Sequence, residues 1–85
     1  MDELILYGKP GCHLCDVMKG VILEVAKSRT LNLRVVNILD DPQIHQLYRY
    51  EIPVLLVNGR EIARHRVTAG QLESALKSKE PSAGS

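Results

Sequence analysis

Two cysteines separated by two residues are the part of this sequence best suited to chemistry. Cys12 and Cys15 frame the segment Cys-His-Leu-Cys and are the only two cysteines in the chain. They follow a short apolar segment and a glycine-containing turn, and they open an amphipathic stretch, which places Cys12 at the N-terminus of a helix. The first amides of a helix have no intrahelical partner, and with the helix dipole they stabilise a thiolate. We therefore expect the pKa of Cys12 to lie below the free value of ~8.5 and Cys12 to be a nucleophile.

Cys15 comes one helical turn after Cys12, on roughly the same face of the helix. From there it can attack a mixed disulfide formed at Cys12, so we expect Cys15 to be the resolving thiol and the less exposed of the pair. Lys9 adds a positive charge upstream, and a protonated His13 between the cysteines favours the thiolate in the same way. Alternatively, His13 is an exposed residue at the start of the helix with no role in the chemistry.

Metal binding and inert packing are the other interpretations of the cysteine pair. A zinc site needs further ligands, but His45 and His65 are 20 residues apart, whereas paired ligands are usually about three to five apart. Asp16 follows Cys15 where a haem-attachment motif has histidine. A C-x-x-C beside a βαβ pattern favours redox chemistry over both alternatives.

The predicted elements follow the order β-α-β-α-β-β-α. Strands are expected over 3–7, 33–38, 54–57 and about 61–67. Helices are expected over about 12–29, in a short segment that begins at Pro42, and along a last segment carrying Leu72, Ala75 and Leu76. The first and third strands are apolar and are expected to be buried on both faces. Asn58-Gly59 predicts a type I′ hairpin, and Thr68 to Gln71 predict a capping box.

These elements predict an α/β fold in which a mixed four-stranded sheet is flanked by helices on both faces. If the first βαβ unit is right-handed, strands one and two are parallel, and helices one and three share the face opposite helix two. A single domain is expected over 1–79, followed by a disordered C-terminal tail at 80–85. The short middle helix carries Ile44, Leu47 and Tyr48.

Composition excludes several functional classes. Of the 85 residues, 45% are hydrophobic and 25% charged, which is ordinary for one globular domain, and 11 basic against 10 acidic residues give no support for nucleic-acid or anionic-membrane binding. The longest aliphatic stretches are far shorter than the ~18 residues of a membrane span. The acidic start of the chain, with no apolar signal region, predicts a cytoplasmic protein, and we expect a monomer.

Residues 7–15, Tyr-Gly-Lys-Pro-Gly-Cys-His-Leu-Cys, resemble the active-site segment of glutaredoxins, with its Tyr-x-Lys-x-x-Cys-x-x-Cys arrangement intact. With Ile52-Pro53 and the order of elements, the resemblance covers about Glu3 to Lys77. It implies a thioredoxin-like fold and, within that fold, a short glutaredoxin-like protein. The implied activity is that of a thiol-disulfide oxidoreductase acting on protein or glutathione mixed disulfides.

The resemblance also implies roles for individual residues. Pro53 would be a cis-proline beside the disulfide, the Ile52 backbone would pair with the substrate's cysteinyl backbone, and Lys9 would bind a glutathione carboxylate. The amides at the start of the last helix, with Thr68 nearby, would bind the γ-glutamyl carboxylate. Glutathione is then the expected co-substrate, and no permanently bound cofactor is expected.

The chain departs from both families at specific positions. Thioredoxins have Trp and a buried Asp where this sequence has Gly11 and Leu6, and it contains no tryptophan. Glutaredoxins have a Gly-Gly turn and acidic residues where this chain has 66–71, Arg-Val-Thr-Ala-Gly-Gln. Two alternatives to catalysis therefore stay open, a glutathione-assisted iron–sulfur or metal-binding module and a non-catalytic binding domain.

Overall fold

The computed structural model describes residues 2–77 and contains the seven regular elements expected from the sequence, in the expected order. The predicted tail at 80–85 and the predicted domain end at 79 lie outside the described residues. The elements are β1 Asp2–Gly8, α1 His13–Ala26, β2 Leu31–Asn37, α2 Pro42–Tyr48, β3 Val54–Val57, β4 Arg60–Arg64 and α3 Ala69–Lys77, with a 3₁₀ turn Ile38–Asp40 after β2.

The sheet has the strand order β2-β1-β3-β4 and is mixed, as expected. β1 pairs in parallel with β2, from Asp2 opposite Leu31 to Gly8 opposite Asn37, and antiparallel with β3. Because Tyr7 lies opposite Val54, the end of β1 and the start of β3 meet at one end of the sheet. The turn that follows β1 and the loop that precedes β3 are therefore neighbours.

Helices cover both faces of the sheet. Leu4 and Leu6 of β1 belong to one buried cluster with Met18 of α1 and Leu72 of α3, and α1 packs against α3. Tyr7 points to the other face, because side chains alternate along a strand, and its ring stacks on that of Tyr48 in α2 with centroids 5.1 Å apart. Helices α1 and α3 thus share the face opposite α2, as predicted.

The prediction about strand burial was wrong. β1 is not buried on both faces, since Glu3 is exposed and only alternate side chains are fully buried. Leu56 of β3 is likewise only half-buried. α2 has no buried residue, and Leu47 is 66% exposed. The reason is shared: α2 has seven residues, which is too short to cover the second face of the sheet.

Three elements differ from their predicted bounds by two residues or more at one end. α1 ends at Ala26 rather than near Arg29, because Lys27 and Ser28 donate to carbonyls three residues back and tighten the last turn. β2 begins earlier and ends earlier than 33–38. β4 ends at Arg64 instead of continuing to Val67, because the backbone turns sharply at the next residue.

The tight turns follow their sequence signals. Asn58 and Gly59 have φ angles of 51° and 84°, the left-handed pair that a type I′ hairpin requires. Thr68 and Gln71 exchange the two reciprocal hydrogen bonds of a capping box at the start of α3. Among the described residues, no helix is long and apolar enough to cross a bilayer.

Candidate active site

Cys12 is the N-cap of α1. Its backbone is extended, with φ −89° and ψ 106°, and its Sγ accepts the backbone N–H of Cys15 at 3.2 Å. The turn before it is closed by the Cys12 N–H donating to the carbonyl of Lys9 at 3.4 Å, and Gly11 adopts a left-handed φ of 80° within that turn. The sulfur of Cys12 therefore occupies the position at which a helix N-terminus binds an anion.

Cys15 lies one turn further along α1 and is 7% exposed, whereas Cys12 is half-buried. The two cysteines are joined by a disulfide, and their Cα atoms are 5.2 Å apart. One sulfur of the pair is therefore accessible from solvent and the other is largely covered. This asymmetry suits one attacking and one resolving sulfur.

A pocket of about 270 Å³ opens beside Cys15, between the first turn of α1 and the edge strand β2. Its wall includes Gly8, Lys9 and Cys15 from the cysteine turn and Val35 and Asn37 from β2. Val35 is 54% exposed. The pocket borders Cys15 and not Cys12.

The peptide bond between Ile52 and Pro53 is cis, as the resemblance implied. Pro53 is buried, and its carbonyl accepts the backbone N–H of His65 at 2.7 Å. The N–H of Ile52 donates to the carbonyl of Tyr48 at 3.1 Å, at the end of α2. Since Val54 lies opposite Tyr7, this loop stands at the end of the sheet that also carries the cysteine turn.

His65 is the residue at which β4 turns away from the sheet. It has a left-handed φ of 68°, and the N–H of Arg66 donates to the carbonyl of Arg64 at 2.7 Å, which closes a γ-turn around it. A non-glycine residue in this conformation is strained. The turn directs the His65 N–H at the Pro53 carbonyl. The strained residue is therefore one that contacts the candidate site through its backbone.

Glu51 connects the same two segments through side chains. Its Oε1 lies 3.4 Å from Nη1 of Arg64 and 3.4 Å from Nε2 of His65, and the second contact is an ion pair only when His65 is protonated. Arg64 also donates to Glu61, and that hydrogen bond holds the pKa of Glu61 below its usual value. Sequence reasoning missed Glu51, because no local signal connects it to partners on another strand.

The remaining predicted site residues differ in what they contact. Lys9 and His13 are exposed, with Lys9 at the rim of the pocket beside Cys15. The Thr68 hydroxyl accepts the N–H of Gln71 at 3.0 Å, so it caps α3. In the described part of the chain, no three His, Cys, Asp or Glu side chains are grouped as metal ligands.

Comparisons with known proteins agree with this architecture. The sequence model of the glutaredoxin-like domain (DUF836) matches residues 3–77. Protein XcR50 from X. campestris is 31% identical, with a TM-score of 0.71 over 91% of this chain and 99% of that one. Protein Ne2328 from Nitrosomonas europaea is 27% identical, with a TM-score of 0.75 over 86% and 88% of the two chains.

A more distant structure identifies the fold alone. Thioredoxin 1 from Thermosipho africanus is 19% identical to this chain and superposes with a TM-score of 0.58 over 88% of this chain and 94% of the other. The thioredoxin-like fold and the resemblance to glutaredoxins, both expected from the sequence, are therefore confirmed.

Proposed function

The chain belongs to the glutaredoxin-like domain family, and from that membership we propose that it is a thiol-disulfide oxidoreductase acting through Cys12 and Cys15. One observation carries the proposal. Cys12 caps α1, and its sulfur accepts a backbone N–H while lying within disulfide reach of Cys15. A thiolate formed there is stabilised by the helix N-terminus.

The reaction is a pair of thiol-disulfide exchanges. The Cys12 thiolate attacks one sulfur of a substrate disulfide, forms a mixed disulfide and displaces the first substrate thiolate. The Cys15 thiol then loses its proton and attacks the Cys12 sulfur, which releases the second substrate thiolate and leaves the Cys12–Cys15 disulfide. Two glutathione thiols return this disulfide to the dithiol and become one glutathione disulfide, so two electrons pass from glutathione to the substrate.

The proposed substrates are protein disulfides and glutathione mixed disulfides. Lys9, exposed beside the cysteine turn, supplies a cation for a glutathione carboxylate, and the amides at the Thr68 end of α3 suit the second carboxylate. Ile52 is half-buried and precedes the buried Pro53 at the end of the sheet that carries the cysteine turn, and its backbone would pair with the cysteinyl backbone of the substrate. His13 is exposed at the start of α1, where its protonated form favours the Cys12 thiolate.

The test is exchange with a glutathionylated peptide by single-cysteine variants. Cys12→Ser should lower the rate by orders of magnitude, because the thiol that remains, Cys15, is largely covered and has no place at the helix N-terminus. Cys15→Ser should retain the first step and accumulate a mixed disulfide at Cys12. Mass spectrometry of the whole protein measures that adduct directly.

The two variants serve as matched controls for each other, since each replaces one sulfur by oxygen in the same turn of α1. Turnover that persists in Cys12→Ser would overturn the assignment. A Cys15→Ser variant that forms no adduct with any disulfide would also overturn it, and would move the interpretation to a binding domain that keeps the fold without the chemistry.

A further inference from the structure

Gly8, the last residue of β1, lies directly against the covered cysteine. A Cβ placed on Gly8 would stand 2.9 Å from Sγ of Cys15 and 3.2 Å from its Cβ. Ordinary contacts between uncharged heavy atoms lie at about 3.5–4.0 Å. Building on the proposed function, we propose that Gly8 is a positioning residue that sets the equilibrium between the Cys12–Cys15 disulfide and the dithiol.

Neither side of this contact can retreat while the disulfide is intact. Gly8 is buried and held in register opposite Asn37 of β2. Cys15 belongs to a helix whose next turn places Met18, 1% exposed, in the core. In the oxidised state the Cys15 sulfur is bonded to Cys12, so its side-chain rotamer is fixed as well. A methyl group at Gly8 would therefore overpack the oxidised protein.

The reduced protein has a means of relieving the same contact. Once the bond to Cys12 is broken, the Cys15 side chain can change its χ1 rotamer. The pocket of about 270 Å³ is lined by both Gly8 and Cys15, and it offers space into which the thiol can turn. A side chain at Gly8 thus destabilises the disulfide more than the dithiol. Glycine at this position makes the disulfide harder to reduce.

The experiment is a redox titration of Gly8→Ala in glutathione buffers. In the reaction measured, two glutathione thiols give up two electrons and two protons to the Cys12–Cys15 disulfide, yielding one glutathione disulfide and the protein dithiol. The equilibrium constant for reduction should rise roughly five- to tenfold, the lower end of what overpacking a buried contact produces. Gly20→Ala is the matched control, because a Cβ there has nothing within 4 Å, and its constant should equal that of the wild type.

Urea unfolding of the oxidised and reduced proteins gives an independent measurement. Gly8→Ala should lower the urea midpoint of the oxidised protein more than that of the reduced protein. Equal losses in both states, or a variant that folds in neither, would overturn the proposal, since Gly8 would then serve the fold and not the disulfide.

Failure of this inference is distinguishable from failure of the proposed function. A wild-type chain with no reversible disulfide in glutathione buffers contradicts the function itself. A reversible wild-type disulfide, with an unchanged constant in Gly8→Ala, contradicts only the role of Gly8.

Discussion

Two segments meet at one end of the sheet, and they are held in place in different ways. The cysteine segment, residues 8–16, is closed by hydrogen bonds between residues three or four apart, from the Cys12 N–H to Lys9, from the Cys15 N–H to the Cys12 sulfur and from the Asp16 N–H to the Cys12 carbonyl. Those contacts need only the turn and the first turn of α1. The geometry around the Cys12 sulfur is therefore local.

The proline segment, residues 51–68, depends on contacts between its two ends. The His65 N–H donates to the Pro53 carbonyl at 2.7 Å, and the Glu51 carboxylate lies 3.4 Å from both Arg64 and His65. These partners are brought together only when β3 and β4 have paired. We infer that changes in the cysteine segment alter the chemistry of the sulfurs, whereas changes in the proline segment alter stability and substrate binding.

The largest effect is expected from Leu55→Ala. Leu55 is fully buried in β3, two residues after Pro53, and it lies opposite Leu6 of β1. Truncation removes buried methyl groups and leaves a cavity in the core on which both segments rest. The free energy of unfolding should fall by about 2–5 kcal/mol, measured by urea denaturation.

Leu56→Ala is the matched control for this variant, because Leu56 is the next residue of β3 and is only half-buried on the opposite face. Its loss of stability should be clearly smaller, since fewer contacts are removed. Equal losses for the two variants would mean that the two faces of β3 contribute equally. That result would contradict the placement of the core between the sheet and the pair α1 and α3.

The same division between local and long-range contacts explains what the sequence could predict. The position of Cys12, the hairpin at Asn58-Gly59 and the capping box at Thr68 were predictable, because each depends on residues no more than a few positions apart. The order of the elements followed from hydrophobic periodicity and turn signals. The family resemblance supplied the cis bond at Pro53, which the residues by themselves did not require.

Long-range features were not predictable in this way. The Glu51 contacts to Arg64 and His65 join residues more than ten positions apart in the chain, and no glycine or asparagine marks the left-handed backbone at His65. The contact between Gly8 and the Cys15 sulfur depends on how closely β1 approaches α1. Leu47 is exposed because α2 is short and covers only a small area of the sheet.

A smaller effect is expected from Thr68→Ala at the end of the proline segment. The variant removes the hydroxyl that accepts the Gln71 N–H at 3.0 Å, so α3 loses its N-cap. The free energy of unfolding should fall by about 1 kcal/mol. Urea denaturation of the oxidised protein measures this loss, and Thr68→Ser should restore the stability because it keeps the hydroxyl.

Thr68→Asp separates capping from the proposed binding of glutathione. An aspartate caps a helix as well as serine does, so stability should be retained. Its negative charge, however, opposes a carboxylate bound at the same helix start, so KM for glutathione should rise. An unchanged KM would indicate that glutathione does not use this end of α3.

The smallest effect is expected from Glu51→Gln, which tests the proline segment without disturbing the cysteines. The substitution removes the negative charge that faces Arg64 and His65, while the backbone hydrogen bond from His65 to Pro53 remains. Exposed ion pairs contribute about 0–1 kcal/mol, so KM for a mixed disulfide should rise roughly two- to fivefold through looser positioning of the loop. The alkylation rate of reduced Cys12 by iodoacetamide should equal that of the wild type.

Glu24→Gln provides the control for Glu51→Gln, because Glu24 forms an exposed ion pair with Lys27 at 2.9 Å, near the far end of α1. Removing that pair should change neither KM nor the alkylation rate. A Glu51→Gln variant that slows Cys12 alkylation would contradict the separation of the two segments, since a charge on the proline segment would then act on the sulfur itself. A KM unchanged in both variants would mean that the backbone bond between His65 and Pro53 suffices to hold the loop.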